Sequence, residues 1–193
     1  MNKFIDRVML IYIPVLGVFL SIVAIYFGIM FFIKDAKSAE NSVKVLKTSN
    51  SRQWVVSSAK IANCVIENKD FQKELKSKEK FDFSEKNGGQ VLSDLLKGDC
   101  NVRTYRTRWP WSKVNATTYS SDKKNLYLNT RKNYPVKNWV NTVIHECLHL
   151  VGYSHGSNSS GGKGNSVNYW VGKLSEKYYQ VCKKIEEKEC SCE

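Results

Sequence analysis

Hydrophobic residues are distributed unevenly along this 193-residue chain. The stretch 8–33 has no charged side chain in 26 consecutive positions, whereas a helix needs only about 20 apolar residues to cross a bilayer. It is also longer than the apolar part of a signal peptide, which spans about 7–15 residues. The pattern predicts a membrane-spanning helix over 8–33 behind a short tail, 1–7. A buried core helix and a leader cleaved near Ala36 or Ser38 are the alternatives.

The rest of the chain alternates between two periodicities. Apolar residues recur at helical spacing in four stretches, and a fifth is predicted as a short helix or a loop; these are 51–67, 91–96, 136–151 and 169–187, with 70–80 as the fifth. Shorter β-like runs, bounded by turn-forming residues, occur at 101–108, 111–119 and 125–130. Helical stretches come before and after the β-like runs along the chain, and this order indicates an α+β fold with a small sheet.

The charge of the chain is strongly positive. Thirty Lys and Arg stand against eighteen Asp and Glu, and the part after residue 33 keeps a net charge of +11. This balance suggests an anionic surface or polymer as a partner, such as lipid headgroups, cell-envelope polymers or nucleic acid; a solvated lysine-rich surface is the alternative. Arg103, Arg106 and Arg108 beside Trp109 and Trp111 suit an anionic strand, or else an ordinary amphipathic strand. No specific nucleic-acid motif accompanies the charge.

The most informative pattern lies in the helix predicted over 136–151. His145 and His149 are four residues apart and therefore lie on one helix face, where both imidazoles can bind one metal ion. Glu146 is turned about 100° from His145, as suits a general base beside a metal. Gly152 can end the helix in the left-handed conformation and turn the chain so that His155 supplies a third ligand. These are the only three histidines in the chain.

The pattern HExxHxxGxxH resembles the extended zinc motif of the metzincin clan of metallopeptidases. The resemblance covers about residues 100–172. It implies that His145, His149 and His155 bind a catalytic Zn²⁺ and that Glu146 activates water. It further implies a zincin-like domain with a small, mostly antiparallel sheet and a long active-site helix, in which the strand 125–130 is the edge strand lining the substrate cleft.

One feature of that clan is missing. Metzincins have a methionine turn after the third histidine, but the methionines here are at positions 1, 9 and 30 only. The nearest counterpart is 166–170, with Val167 in place of the methionine. Tyr169 then lies where some clan members have a tyrosine that stabilises the oxyanion, and it is a candidate catalytic residue; packing beneath the site is the alternative.

The cysteines bear on both covalent structure and location. Six cysteines allow 15 pairings; they are Cys64, Cys100, Cys147, Cys182, Cys190 and Cys192. Disulfides would fit a domain outside the cytoplasm, and free thiols in a cytosolic protein are the alternative. The charges flanking 8–33 do not settle its orientation, so the cysteines favour a single-pass membrane protein with its soluble domain outside the cytoplasm.

Together these features predict a tail (1–7), a transmembrane anchor (8–33), a helical segment (34–99) acting as stalk, pro-segment or subdomain, and a metallopeptidase domain (100–193). The predicted function is a membrane-anchored zinc metalloendopeptidase that hydrolyses peptide or protein substrates. Its lipid partner is the bilayer around 8–33. The alternative is an anchored basic binding protein with a structural or inactive metal site that docks on anionic envelope polymers, lipid or nucleic acid. A protease facing the cytosol and acting on nucleic-acid-bound proteins is a third option.

Overall fold

A computed structural model describes residues 45–109, 111–155 and 163–190. These residues belong to one compact unit, Val43–Glu193. Five helices and four strands follow in chain order, with a short 3-10 turn at Lys163–Asn165 before the last helix. They are β1 (Leu46–Lys47), α1 (Gln53–Glu67), α2 (Lys69–Lys76), α3 (Gly88–Leu96), β2 (Cys100–Tyr105), β3 (Ala116–Tyr119), β4 (Asp122–Asn129), α4 (Val136–Leu150) and α5 (Val167–Cys190).

Two helices, α2 and α3, begin where an asparagine side chain accepts free N–H groups of the first turn. The Asn68 side chain accepts from two backbone amides of α2, and Asn87 forms a reciprocal capping box with Gln90 at the start of α3. At Gly88 the backbone of α3 lies so close to that of α2 that a Cβ there would be 1.7 Å from the Leu75 carbonyl oxygen. All four predicted helices form, with boundaries shifted by a few residues, and the stretch 70–80, predicted as a short helix or a loop, forms the short helix α2.

The four strands form one sheet in the order β1-β2-β4-β3. β1 pairs with β2 in parallel, and β2 pairs with β4 in parallel. Only β3 and β4 are antiparallel, as a hairpin. Three helices connect β1 to β2, which is the kind of long crossover that parallel neighbours require.

The predicted mostly antiparallel sheet is therefore wrong, and the sheet is mixed. The reason is that β4 returns from the hairpin into the space between β2 and β3, so that it runs alongside β2 in the same direction. The strand predicted as the edge strand, 125–130, corresponds to β4 and lies inside the sheet. The edge at this end of the sheet is formed by β3, the other strand of the hairpin.

One finding corrects two predictions: the fold with a membrane-spanning helix and the single-pass membrane location. Within the described ranges, no helix is both long and apolar enough to cross a bilayer. The longest of them, α5, carries charged side chains along its whole length from Lys173 onward, whereas a span requires an apolar run of about 20 residues. The predicted anchor itself, 8–33, lies outside the described residues.

The core lies between the inner face of the sheet and the helices. Its largest fully buried side chains come from α1, α2, α3, α4, β1 and β4 and from the segment between α2 and α3; among them are Trp139, Phe71, Phe81, Leu46, Ile61, Ile66, Leu92, Leu126 and Ile144. Helices of the segment 34–99 thus share a core with the sheet and with α4. The predicted boundary at 99/100 falls inside this unit, and the role of 34–99 stays a prediction.

Among the described residues, two disulfides cross-link the fold. Cys100 of β2 is bonded to Cys147 of α4, and Cys64 of α1 is bonded to Cys182 of α5. The prediction that the chain carries disulfide bonds is confirmed for these four cysteines. The sequence allowed fifteen pairings, and the structure selects these two because they join elements that pack against each other.

Candidate metal centre

Helix α4 carries the first two histidines. Its apolar side, which includes Trp139, Val140, Ile144 and Leu148, is fully buried in the core. That packing fixes the rotation of the helix about its axis. His145 and His149 consequently project from the other side, one helical turn apart, and their ring centroids are 5.1 Å apart.

The third histidine is delivered by a turn at the end of α4. Gly152 has φ +101°, a backbone conformation that favours glycine. Its N–H donates to the His149 carbonyl at 3.1 Å, and the Tyr153 N–H donates to the Leu148 carbonyl at 3.0 Å. These two bonds are those of a Schellman motif. The chain therefore reverses after Gly152 and returns His155 to the face of α4, as the sequence predicts.

The three imidazoles converge on one point. Nε2 of His155 lies 2.8 Å from Nε2 of His145, and one ligand atom from each of the three residues lies within 4.8 Å of the others. Nδ1 of His149 lies 2.7 Å from the Tyr153 carbonyl oxygen, which can only accept. Nδ1 therefore carries the proton and leaves Nε2 free to bind a metal ion. This cluster can hold a metal ion.

Burial favours the neutral form of His145 and His149, which is the form that binds metal. Burial lowers the pKa of His145 to about 3, and the neighbouring His149 and His155 add to the effect. Burial also lowers the pKa of His149. The carboxyl group of Glu146 responds in the opposite direction, since burial raises its pKa to about 7. Each shift favours the uncharged form of a group that is taken out of water.

Two residues at the start of α5 complete the wall of the site. The Tyr169 ring lies 4.7 Å from the rings of both His145 and His155. Asn168 is fully buried and its side-chain amide donates to the His145 carbonyl at 3.2 Å. Val167, the residue in the position of the clan's methionine, is also buried. The structure thus brings Tyr169 into contact with two of the three histidines.

Polar contacts with Asp94 of α3 support the turn that follows α4. The Tyr153 hydroxyl donates to Asp94 at 2.7 Å, and the Lys86 ammonium group lies 2.6 Å from the same carboxylate oxygen. The hydrogen bonds from Lys86 and then Tyr153 hold the pKa of Asp94 below its usual range. Asp94 therefore stays ionised and holds Tyr153 in place, and the Tyr153 carbonyl orients His149.

Two pockets lie along the edge strand β3, and together they include all three histidines; we refer to the two as the cleft. At one end, a pocket of about 410 Å³ is bounded by Val114, Asn115 and Ala116 on one side, and by residues that include His145, Glu146, His155 and Tyr169 on the other. At the other end, Thr118, Tyr119 and Ser120 face His149 and Gly152. Glu146 thus lines the same pocket as His145 and His155, two of the three histidines that could hold a metal ion.

All five predicted site residues lie around this one point: His145, Glu146, His149, His155 and Tyr169. Sequence reasoning missed Asp94, the Tyr153 carbonyl, Asn168 and the β3 wall. Asn168 is next to the predicted Tyr169 in the sequence, which could have indicated that it lies near the site. Asp94 is 59 residues from Tyr153, and nothing in the sequence marks that pairing.

Comparison with protein-family models, curated proteins and solved structures finds no match to this chain.

Proposed function

We propose that this protein is a zinc-dependent metallopeptidase of the metzincin type. The observation that carries the proposal is the convergence of three histidines beside Glu146, in a cleft along the edge strand β3. The motif HExxHxxGxxH supports the same conclusion, because its five defined residues, His145, Glu146, His149, Gly152 and His155, occupy their expected places on α4 and in the turn after it.

The donor set fits zinc. Three imidazole nitrogens leave a fourth position open, which is the pattern of catalytic rather than structural zinc sites. His145, His149 and His155 would hold the ion, and the Tyr153 carbonyl orients His149 as partners outside the ligand set commonly do. When bound there, zinc supplies Lewis acidity that lowers the pKa of a water ligand and polarises a carbonyl group.

Each remaining part of the reaction falls to a residue of the chain. Glu146 accepts the proton of the attacking water and returns it to the leaving amine, which requires one carboxyl group that faces the cleft. The Tyr169 hydroxyl is the candidate donor to the developing oxyanion. The free edge of β3 offers backbone N–H and C=O groups to an extended peptide, which would bind as an added strand.

The test measures zinc and turnover separately in the full chain. We expect about one zinc per chain in the wild type, loss of zinc in His149→Ala, and retained zinc in Glu146→Gln. Hydrolysis of an unfolded protein such as casein should be at least 100-fold slower in Glu146→Gln than in the wild type, as is typical for loss of a general base. Wild-type turnover in Glu146→Gln, or a folded wild-type protein without zinc, contradicts the proposal.

A second candidate rests on a different observation. Between residues 100 and 135 basic side chains outnumber acidic ones by eight to one, which also suits a basic binding protein whose metal only maintains the fold. In such a protein, removing the metal unfolds the chain, whereas a catalytic site loses its metal and keeps its fold.

A further inference from the structure

The sheet region has the most one-sided charge in the described chain. Residues 100–135 contain a single acidic side chain, Asp122. Asp122 is already engaged, since it accepts hydrogen bonds from the side chains of Asn125 and Tyr127. The basic residues of this region are Arg103, Arg106, Arg108, Lys113, Lys123, Lys124, Arg131 and Lys132.

Seven of these eight cations form no ion pair with the described residues. Within the described ranges, Lys124 is the only one of the eight with an ion pair, to Asp99 at 4.0 Å. Elsewhere in the same unit, lysines such as Lys47, Lys86 and Lys177 pair with carboxylates. The sheet region therefore presents uncompensated positive charge, which favours an anionic partner.

Two exposed tryptophans lie within the same region. Trp109 is 58% exposed and Trp111 is 73% exposed, and their ring centroids are 5.4 Å apart. Large aromatic rings usually bury most of their surface in a folded protein. A pair left in solvent beside Arg106 and Arg108 offers a partner both apolar contact and positive charge.

The residues on either side of position 110, 106–109 and 111–115, lead towards the cleft. The first stretch is held by Arg131, whose Nε donates to the Thr107 carbonyl at 2.8 Å. The second is held by Asn129, whose side-chain amide donates to the Val114 carbonyl at 2.8 Å. Val114 and Asn115 are also walls of the pocket that contains Glu146. A ligand that leaves the cleft at this end therefore meets the basic and aromatic side chains next.

We propose that this basic-aromatic surface, formed by Arg106, Arg108, Trp109, Trp111 and Lys113, binds an acidic segment of the polypeptide that occupies the cleft. The inference rests on the proposed function, because it takes the occupant of the cleft to be a polypeptide. Charge complementarity assigns Asp and Glu side chains to the three cations, and the tryptophans contact apolar side chains between them. The protein would then act on substrates with acidic sequence near the cleaved bond.

Binding is measured on the full-chain Glu146→Gln variant, so that no probe is consumed. The probes are two fluorescein-labelled peptides of equal length that share one apolar core and carry either glutamates or glutamines on both flanks. Fluorescence anisotropy at about 0.15 M salt should show about tenfold tighter binding of the glutamate peptide, since three surface charge pairs of modest strength act together. Equal binding of the two peptides overturns the proposal.

Two charge-matched variants locate the effect. Replacing Arg106, Arg108 and Lys113 by Gln should abolish the preference for the glutamate peptide. Replacing Lys69, Lys76 and Lys80 by Gln removes the same charge from α2 and the turn after it, and the preference should persist. A preference that survives the first replacement, or disappears in both, overturns the proposal. Trp109→Ala should weaken the binding of both peptides by a similar factor.

Competition with single-stranded oligothymidylate of equal charge tests nucleic acid as the alternative ligand of this surface. The proposal expects the glutamate peptide to bind more tightly, whereas tighter binding of the oligonucleotide overturns it in favour of a nucleic-acid surface. The outcome is separable from that of the proposed function. If zinc or hydrolysis fails but the peptide preference and its loss in the triple variant are found, the surface is correct and the peptidase proposal is wrong.

Discussion

At the scale of single residues, the candidate metal centre is positioned by atoms outside the three histidine rings. Nδ1 of His149 donates to the Tyr153 carbonyl, and the hydroxyl of the same tyrosine donates to Asp94. Tyr153 therefore joins a ligand on α4 to a carboxylate on α3. Partners of this kind fix the tautomer and the orientation of a metal-binding imidazole, and their loss commonly lowers metal affinity 10- to 100-fold.

Tyr153→Phe should lower the affinity for Zn²⁺ by about tenfold. The variant keeps the ring and the backbone carbonyl but removes the bond to Asp94, so the turn that orients His149 and delivers His155 is no longer tied to α3. Competition with a chromophoric chelator measures the change.

Tyr178→Phe is the matched control for this variant. The Tyr178 hydroxyl also donates to a carboxylate, Glu74, at 2.6 Å, but neither residue adjoins the histidine cluster. Both variants should lose about 1 kcal/mol of stability, while only Tyr153→Phe changes zinc affinity. Equal zinc affinities in the two variants would show that the link from Asp94 does not position the ligands.

The sequence predicts the ligands but not their support, for a physical reason. His145 and His149 are placed together by the helical repeat, and the Gly152 turn is likewise local, so spacing alone brings His155 near them. Asp94 reaches Tyr153 only because α3 packs next to the end of α4. That contact depends on tertiary packing, which no local pattern encodes.

At the scale of elements, a disulfide fixes α4 to the sheet. Cys147 lies between the two helical ligands and is bonded to Cys100 at the start of β2. The second disulfide joins α1 to α5 through Cys64 and Cys182. Both bonds restrain the unfolded chain, but only the first restrains the element that carries His145 and His149.

Replacing Cys100 and Cys147 together by Ala should cost about 4 kcal/mol of stability, as expected for a cross-link that closes a loop of 47 residues. The zinc affinity should also fall, because α4 loses its covalent tie to β2. Guanidinium unfolding measures the stability, and chelator competition measures the affinity.

The double replacement of Cys64 and Cys182 by Ala is the control. Its loop spans 118 residues, so its cost in stability should be at least as large, yet zinc affinity should stay near that of the wild type. Affinities are compared after circular dichroism shows native helix content in both variants. A fall of zinc affinity that simply follows stability in both would contradict a specific role for the Cys100–Cys147 bond.

The element scale also shows where sequence patterns stop being sufficient. Four helical stretches are identified by apolar spacing, and all four form. Strand order is different, because β4 and β3 are distinguished only by which one inserts beside β2. Their short alternating runs fit either place, so the prediction that 125–130 forms the edge was wrong. The edge strand determines which residues form the wall of the cleft.

At the scale of the whole molecule, the fold does not depend on the metal for its core. A continuous cluster of buried apolar side chains joins the sheet to α1, α2, α3, α4 and α5, and two disulfides cross-link it. The histidine cluster lies at one border of this core, in a cleft. A metal at such a border adds binding energy to a fold that is already stable, unlike the metal of a small zinc finger.

Chelation should therefore remove activity and lower the melting temperature while leaving the fold intact at 25 °C. At free zinc about 1,000 times its Kd, binding adds about 4 kcal/mol to the stability, or about 10 °C in a unit of this size. Circular dichroism before and after treatment with a strong chelator, with His149→Ala treated alike, measures both effects. The chelator should not shift the melting temperature of His149→Ala, because that variant lacks the site. Loss of helix signal on chelation of the wild type would instead make the metal structural and favour the basic binding protein over the peptidase.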